Sequence, residues 1–254
     1  MIKTWVDFLC ILHKFGVEIS PFVNFAQIFH FCPFFGKKGF TKRPSGDIML
    51  KNHRIRNGMK KEAVIRRFKR IPDINTERLL LRRMRPEDCA DMYEYSKRDD
   101  VTEYLLWSPH PNRIHTKKYL EYIKTRYDDG EFYDWAIELK SEGKMIGTCG
   151  FSSFDFVNNS AEVGYVINPA YQRHGYAPEA LLEVMMFGFM ELNLHRIEAK
   201  YMDGNDASRK VMDKLGMKYE GCARSSMFVK GKYRSIHTCA ILSDEFIKRY
   251  LKSE

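Results

Sequence analysis

The strand-like run Val163-Gly164-Tyr165-Val166-Ile167 ends in Asn168-Pro169, and that junction narrows what the chain can build around it. Val163, Tyr165 and Ile167 alternate with Glu162, Gly164 and Val166 as a β-strand requires. Pro169 then stops the strand, because proline brings no N–H to a ladder. A helix is predicted soon after: Pro178 fits a first helical turn, Glu179 suits the positive end of the dipole, and Ala180 to Leu192 is rich in Leu, Met and Phe. The backbone N–H groups from Arg173 to Ala177 then lack helical partners and can converge on an anion. Gly175 and Ala177 leave that approach open, and Arg173 and His174 add charge or donors. An ordinary packed turn would accept the same glycine, so the surroundings have to decide.

Three further segments bear on it. The first is Asn75-Thr76-Glu77-Arg78-Leu79-Leu80-Leu81-Arg82, followed by Arg85-Pro86-Glu87-Asp88. Trp135 to Leu139, a turn at Ser141-Glu142-Gly143-Lys144 and Met145 to Phe151 read as a hairpin. After Leu194 to Ala199, Asn205 is a good N-cap and Gly216 a good C′ residue, which bracket a helix of about three turns.

In this order, with Gln172-x-x-Gly175-x-Ala177 as the loop, the segments resemble the GNAT N-acetyltransferases, and within them the ribosomal-protein N-terminal type. The resemblance runs from about Ile74 to Phe246. It implies a mixed α/β fold with a central, splayed, mostly antiparallel sheet flanked by helices. It also implies acetyl-CoA as co-substrate, with no metal. Gln172, Arg173, His174, Gly175, Tyr176 and Ala177 would hold the pyrophosphate, backbone groups at Val166 and Ile167 the pantetheine arm, and Asn205 and Ser208 its far end. The expected reaction is direct attack of a primary amine, foremost a protein N-terminal amine, through a tetrahedral intermediate. A polyamine, an aminoglycoside or a metabolite is the alternative acceptor, and acyl-CoA binding without turnover the alternative activity.

An alkyl amine is mostly protonated at neutral pH, so attack needs a base. Glu162, four residues before Val166, is the base candidate, and a strand-edge carboxylate paired with a basic neighbour reads equally well. Many members carry a tyrosine seven residues after the capping Asn; here that position is Met212. Ser208 is the substitute donor to sulfur, against the plainer role of satisfying local backbone. Trp107, Trp135, Tyr104 and Phe132 would line an acceptor cleft or fill the core, Tyr219 and Tyr233 would be core or cleft wall, and His195 would be structural.

The chain has 254 residues and a net charge of +9, which concentrates in one stretch: residues 37–70 carry 13 Lys and Arg against Asp47 and Glu62. From residue 71 onward the chain is slightly acidic, so the charge belongs to a leader and not to the expected enzyme. We expect two parts, a leader of residues 1–73 and a GNAT domain of residues 74–248. Contact of residues 37–70 with the ribosome, RNA or a membrane surface is one expectation; a natural start at Met59 is another. The apolar run of residues 5–36 is broken by Asp7, Lys14, Glu18, Pro21 and Pro33, which argues against a transmembrane span. None of the six cysteines forms a Cys-x-x-Cys pair, so free thiols and a cytoplasmic monomer or homodimer are expected.

Overall fold

The computed structural model describes residues 60–251. Met59, the apolar run and most of the basic stretch lie outside the described residues. Eight strands form one sheet: β1 (Ile74–Asn75), β2 (Leu79–Arg82), β3 (Asp134–Leu139), β4 (Lys144–Asp155), β5 (Ser160–Ile167), β6 (Arg196–Met202), β7 (Lys218–Val229) and β8 (Lys232–Leu242). Their spatial order is β1-β2-β3-β4-β5-β6-β8-β7. The helices are α1 (Lys61–Phe68), α2 (Cys89–Ser96), α3 (Asp99–Thr102), α4 (Arg113–Asp129), α5 (Tyr176–Met190), α6 (Asp206–Lys214) and α7 (Ser243–Tyr250).

The hairpin expected around Ser141 to Lys144 joins β3 to β4, with Gly143 at φ +60° in the turn. Asn205 caps α6 by accepting from Ser208 N at 3.1 Å, and Gly216 takes the left-handed conformation just beyond its end at φ +75°. These local signals act where the sequence places them.

Every neighbouring pair of strands is antiparallel except β5 and β6, and that exception shapes the molecule. The two run parallel through Ser160 opposite Arg196, Ala161 opposite Ile197 and Glu162 opposite Glu198, and there the pairing ends. Beyond Glu162, β5 stays bonded to β4 as far as Ile167, and β6 stays bonded to β8 as far as Met202. The two halves of the sheet therefore diverge. A bulge between Phe151 and Ser153 of β4 lies opposite Val163 and Glu162. Bulges bend a strand and sharpen its twist, and this one sits where β5 leaves β6.

The core lies on both faces. On one, α5 approaches so closely that a Cβ at Gly188 would meet the Ile197 and Leu194 side chains at 2.9 and 3.0 Å. Residues 60–73, grouped with the leader by composition, pack here too. Phe68 of α1 is fully buried among Tyr133, Trp135, Phe151, Phe154 and Phe187, with ring centroids 4.9 to 6.2 Å away. Trp135 is also fully buried and donates to the Pro72 carbonyl at 2.8 Å, so it fills the core and lines no cleft. On the other face, α4 buries Leu120, Ile123 and Tyr127. The Tyr127 hydroxyl donates to the Asp134 carbonyl at 2.6 Å and accepts from Met84 N at 3.2 Å. Beside it the buried Arg82 grips Asp88 with two bonds of 2.6 and 2.8 Å and Glu138 with one of 2.5 Å.

Candidate active site

The loop after β5 has the geometry its sequence suggests. A single turn at Pro169–Tyr171 follows Asn168, whose side chain accepts from Ala170 N. Arg173 at φ +66° and Gly175 at φ +82° then reverse the chain into α5. The left-handed region is costly for residues with a side chain, and Gly175 is the N-cap there. Among the described residues no hydrogen bond uses the N–H of Arg173, His174 or Gly175. The N–H groups of Tyr176 and Ala177, in the first turn of α5, have no helical partner by construction. Five adjacent donors at the positive end of a 15-residue helix suit a diphosphate. Gln172 turns the other way and donates from Nε2 to the Ile167 carbonyl at 3.2 Å, which ties the loop to the end of β5. The Gln172 side chain is thus a brace for the loop.

Glu179 and Arg78 hold the loop in place, through a pairing with each other that the sequence does not announce. Glu179 accepts from Thr76 Oγ1 at 2.5 Å, from Arg78 N at 3.0 Å and from Arg78 Nε at 2.7 Å. Burial alone would raise the Glu179 pKa, yet these donors hold it below the usual carboxylate range. Arg78 also donates to the His174 carbonyl at 2.9 Å and lies over the Tyr176 ring at 4.6 Å. A separation of about a hundred residues leaves no linear signal of this clamp.

At the fork, Glu162 and Lys200 form an ion pair of 2.6 Å. Lys200 also meets Glu198 at 3.0 Å, and Arg196 joins Glu198 to Glu220, so three strands share one charge chain. Burial pulls the Lys200 ammonium down, but Glu162 and Glu198 outweigh it and raise it. Glu162 is therefore at the apex of the fork, where the sequence puts it, and already has a partner.

Across the fork, Tyr165 of β5 reaches the first turn of α6. Its hydroxyl lies 2.9 Å from Ser208 Oγ and 3.1 Å from the Ser208 carbonyl, and burial pushes its pKa up to about 12. Ser208, in the first turn of α6 that Asn205 caps, thus meets β5 beyond the point where β6 leaves it. Met212 is buried, so it fills the core and offers the fork nothing.

Asp134, at the start of β3, is a further acid near this place. Burial lifts its pKa to about 7. Asp203, Cys222 and His237 also come together from three separate segments, with ligand atoms within 4.8 Å of one another. His237 is already occupied, by Asp203 at 2.6 Å and by Tyr219 at 3.0 Å. Tyr233 and Tyr219 are 71% and 45% exposed, so neither belongs to the core. Tyr104 packs beside Gly204, between β6 and α6. Between α3 and the β7–β8 turn an open cleft of about 520 Å³ is lined by Asp99, Asp100 and Glu103 and by Lys230, Lys232 and Arg234. The four described cysteines are unbridged, and no described helix is long and apolar enough to cross a membrane.

The acetyltransferase (GNAT) domain family matches residues 78–218. The uncharacterized N-acetyltransferase p20 of Bacillus licheniformis is 32% identical over 67% of this chain and 96% of its own length. Spermidine N(1)-acetyltransferase of Escherichia coli K12 is 24% identical over 67% and 89%. Among solved structures, a GNAT-family acetyltransferase of Bacillus anthracis superposes with a TM-score of 0.62, at 29% identity over 68% of this chain and 100% of that one. A ribosomal-protein-S5-alanine acetyltransferase of Vibrio fischeri has the same fold, with a TM-score of 0.57 at 23% identity over 69% and 98%. This chain therefore belongs to the GNAT N-acetyltransferases, which take their acetyl group from acetyl-CoA.

Proposed function

We propose that the protein transfers an acetyl group from acetyl-CoA to a primary amine, and that the amine is the N terminus of a protein. One observation carries the reading: parallel pairing stops at Glu162, one strand length before a loop of unpartnered N–H groups. A slot between two strand edges thus leads from an anion site into the middle of the sheet. In this reading the N–H groups of Arg173 to Ala177 hold the pyrophosphate. The free edge of β5 near Val166 and Ile167 pairs with the pantetheine amides, and Asn205 and Ser208 border the sulfur end.

Acetyl transfer then needs an unprotonated amine, a stabilised oxyanion and a route for the thiolate's proton. A backbone N–H at the open edge supplies the second at a value of about 3 kcal/mol when preorganised. Ser208, with Tyr165 behind it, is the donor nearest the slot for the third.

The acceptor is read from the cleft. Asp99 and Glu103 attract an ammonium, Asp100 being already paired with Arg98, while Lys230, Lys232 and Arg234 across from them repel a second and third positive charge. A peptide, with one terminal ammonium and carbonyl or carboxylate groups behind it, suits both walls. A polyamine suits one, and the spermidine enzyme among the relatives keeps that second reading in play.

Release of CoA thiol, measured with the full chain against peptides bearing free Ala or Ser termini, spermidine and an aminoglycoside, tests the proposal. Turnover preferring peptides supports it, and turnover restricted to spermidine would replace the acceptor. Absence of turnover with tight CoA binding would refute acetyl transfer to these amines.

A further inference from the structure

Asp134, Gly150 and Gly164 lie side by side on β3, β4 and β5, paired in register, so their α-carbons share one face of the sheet. The Asp134 carboxylate leans across the middle of this row: a Cβ added at Gly150 would collide with its Oδ1 and with the Tyr133 carbonyl. Gly150 has to be glycine for the acid to lie there. On the far side, a Cβ at Gly164 would meet nothing within 4 Å. Open space thus begins next to the carboxylate, on the strand that borders the slot. Gly164 stands two residues past Glu162, just inside the fork.

Asp134 is half-buried as a residue, its carboxylate on the inner side, and no hydrogen bond to that carboxylate is found among the described residues, although its own backbone carbonyl is held by Tyr127. Buried polar groups are nearly always satisfied, so an acid left open beside empty space is prepared for a guest. A second group has the same character. Tyr95, 2% exposed, has a hydroxyl with no partner, and it lies close enough to Asp134 to be raised by its charge. The groups that feel the Asp134 charge are Tyr95 of α2, Tyr119 and Tyr127 of α4 and Cys149 of β4, all uncharged at neutral pH. Among the described residues no ion pair to it is found, whereas Glu162 is bound to Lys200.

We propose that Asp134, and not Glu162, accepts the proton that the incoming ammonium must lose, directly or through one water over Gly164. This rests on the acetyl-transfer reading above. The ammonium gives one proton to the carboxylate, leaving a carboxylic acid and a neutral amine. The nitrogen lone pair forms the C–N bond at the thioester carbonyl, the tetrahedral oxyanion collapses, and the C–S bond breaks. The thiolate takes the second nitrogen proton, and Asp134 returns the first to solvent. An acid titrating near 7, as burial makes this one, matches a base that works at neutral pH.

The test is the pH dependence of kcat/KM for the full chain, with acetyl-CoA and either a hexapeptide bearing a free N-terminal alanine or spermidine. The wild-type profile is expected to fall tenfold per pH unit on the acidic side of about 7. Asp134→Asn should lose 10²- to 10⁴-fold at pH 7.5, the usual span for a general base, and lose that acidic limb. CoA binding by calorimetry should stay at the wild-type level, and the variant should still unfold cooperatively. Gly164→Val, which fills the open space and leaves the acid in place, should raise KM for the amine with CoA affinity retained. Asp134→Asn with a wild-type rate and limb, with Glu162→Gln losing both, overturns the assignment while acetyl transfer stands. A wild-type chain that binds acetyl-CoA and acetylates neither amine overturns both.

Discussion

The Tyr165 hydroxyl sits 2.9 Å from Ser208 Oγ, a single contact that joins β5 to α6 across the open part of the sheet. The same hydroxyl also meets the Ser208 carbonyl, so a serine that also lies in a capped first turn is held from two sides. Tyr165→Phe keeps the ring and removes both contacts. It is expected to cost about 1 kcal/mol of stability, the usual net worth of one hydrogen bond, seen as a lower urea midpoint. If Ser208 hands a proton to sulfur, Ser208→Ala and Tyr165→Phe should each lower kcat without changing KM for the amine. Unchanged kcat in both would limit the pair to holding α6.

The buried Arg82 is the largest electrostatic commitment in the fold. Its guanidinium satisfies Asp88 and Glu138, and Asp88 also accepts from Arg85 N at 2.8 Å to start the turn into α2. Removing one member of a buried ion pair leaves a stranded charge. Arg82→Met should therefore destabilise the protein by about 3–5 kcal/mol in denaturant unfolding, far more than losing the partly exposed Arg67–Glu191 pair at 2.5 Å.

Gly175 is the position where loop geometry and ligand approach coincide. At φ +82° a side chain is strained by about 1–2 kcal/mol, and an added Cβ would sit 3.4 Å from Arg78 Nη2. Gly175→Val should weaken CoA binding at least tenfold by calorimetry, with a smaller loss of melting temperature.

Two buried groups pull stability in opposite directions as pH changes. The Asp134 pKa is raised to about 7, so between about 4 and 7 the native state holds more protons than the unfolded chain, and this residue makes stability fall as pH rises. His110, lowered to about 4 by burial and by His115, holds fewer protons than the unfolded chain between about 4 and 6.5, so its contribution is lost on acidification. Asp134→Asn should gain stability relative to wild type at pH 8 and lose that advantage toward pH 4, as read from melting temperatures across that range.

Local chemistry made much of this legible in advance. Pro169, Gly143, Asn205 and Gly216 each end or begin an element through their own backbone preferences, and all four do so in the structure. The loop from Gln172 to Ala177 was readable for the same reason. What could not be read is what depends on strand register. Asp134 gains meaning only when it stands opposite Gly150, which stands opposite Gly164, and nothing in the spacing of three residues along a chain announces that row. The Thr76–Arg78–Glu179 clamp and the Glu162–Lys200 pair depend on which strands are neighbours, and the parallel crossing from β5 to β6 sets that. Composition misled once: the basic residues around Phe68 grouped α1 with the leader, although its inner side is core.

The early end of the β5–β6 ladder has a further consequence. Sheets ordinarily confine unsatisfied strand edges to their perimeter, where a neighbouring chain can add to them and aggregate. Here two such edges face each other in the interior, with α5 and α6 packed across the sheet at this point. Whatever enters between them meets backbone N–H and C=O groups from β5 and β6 rather than a wall of side chains. An aggregation hazard at the rim of most sheets is here turned inward, out of reach of a neighbouring chain.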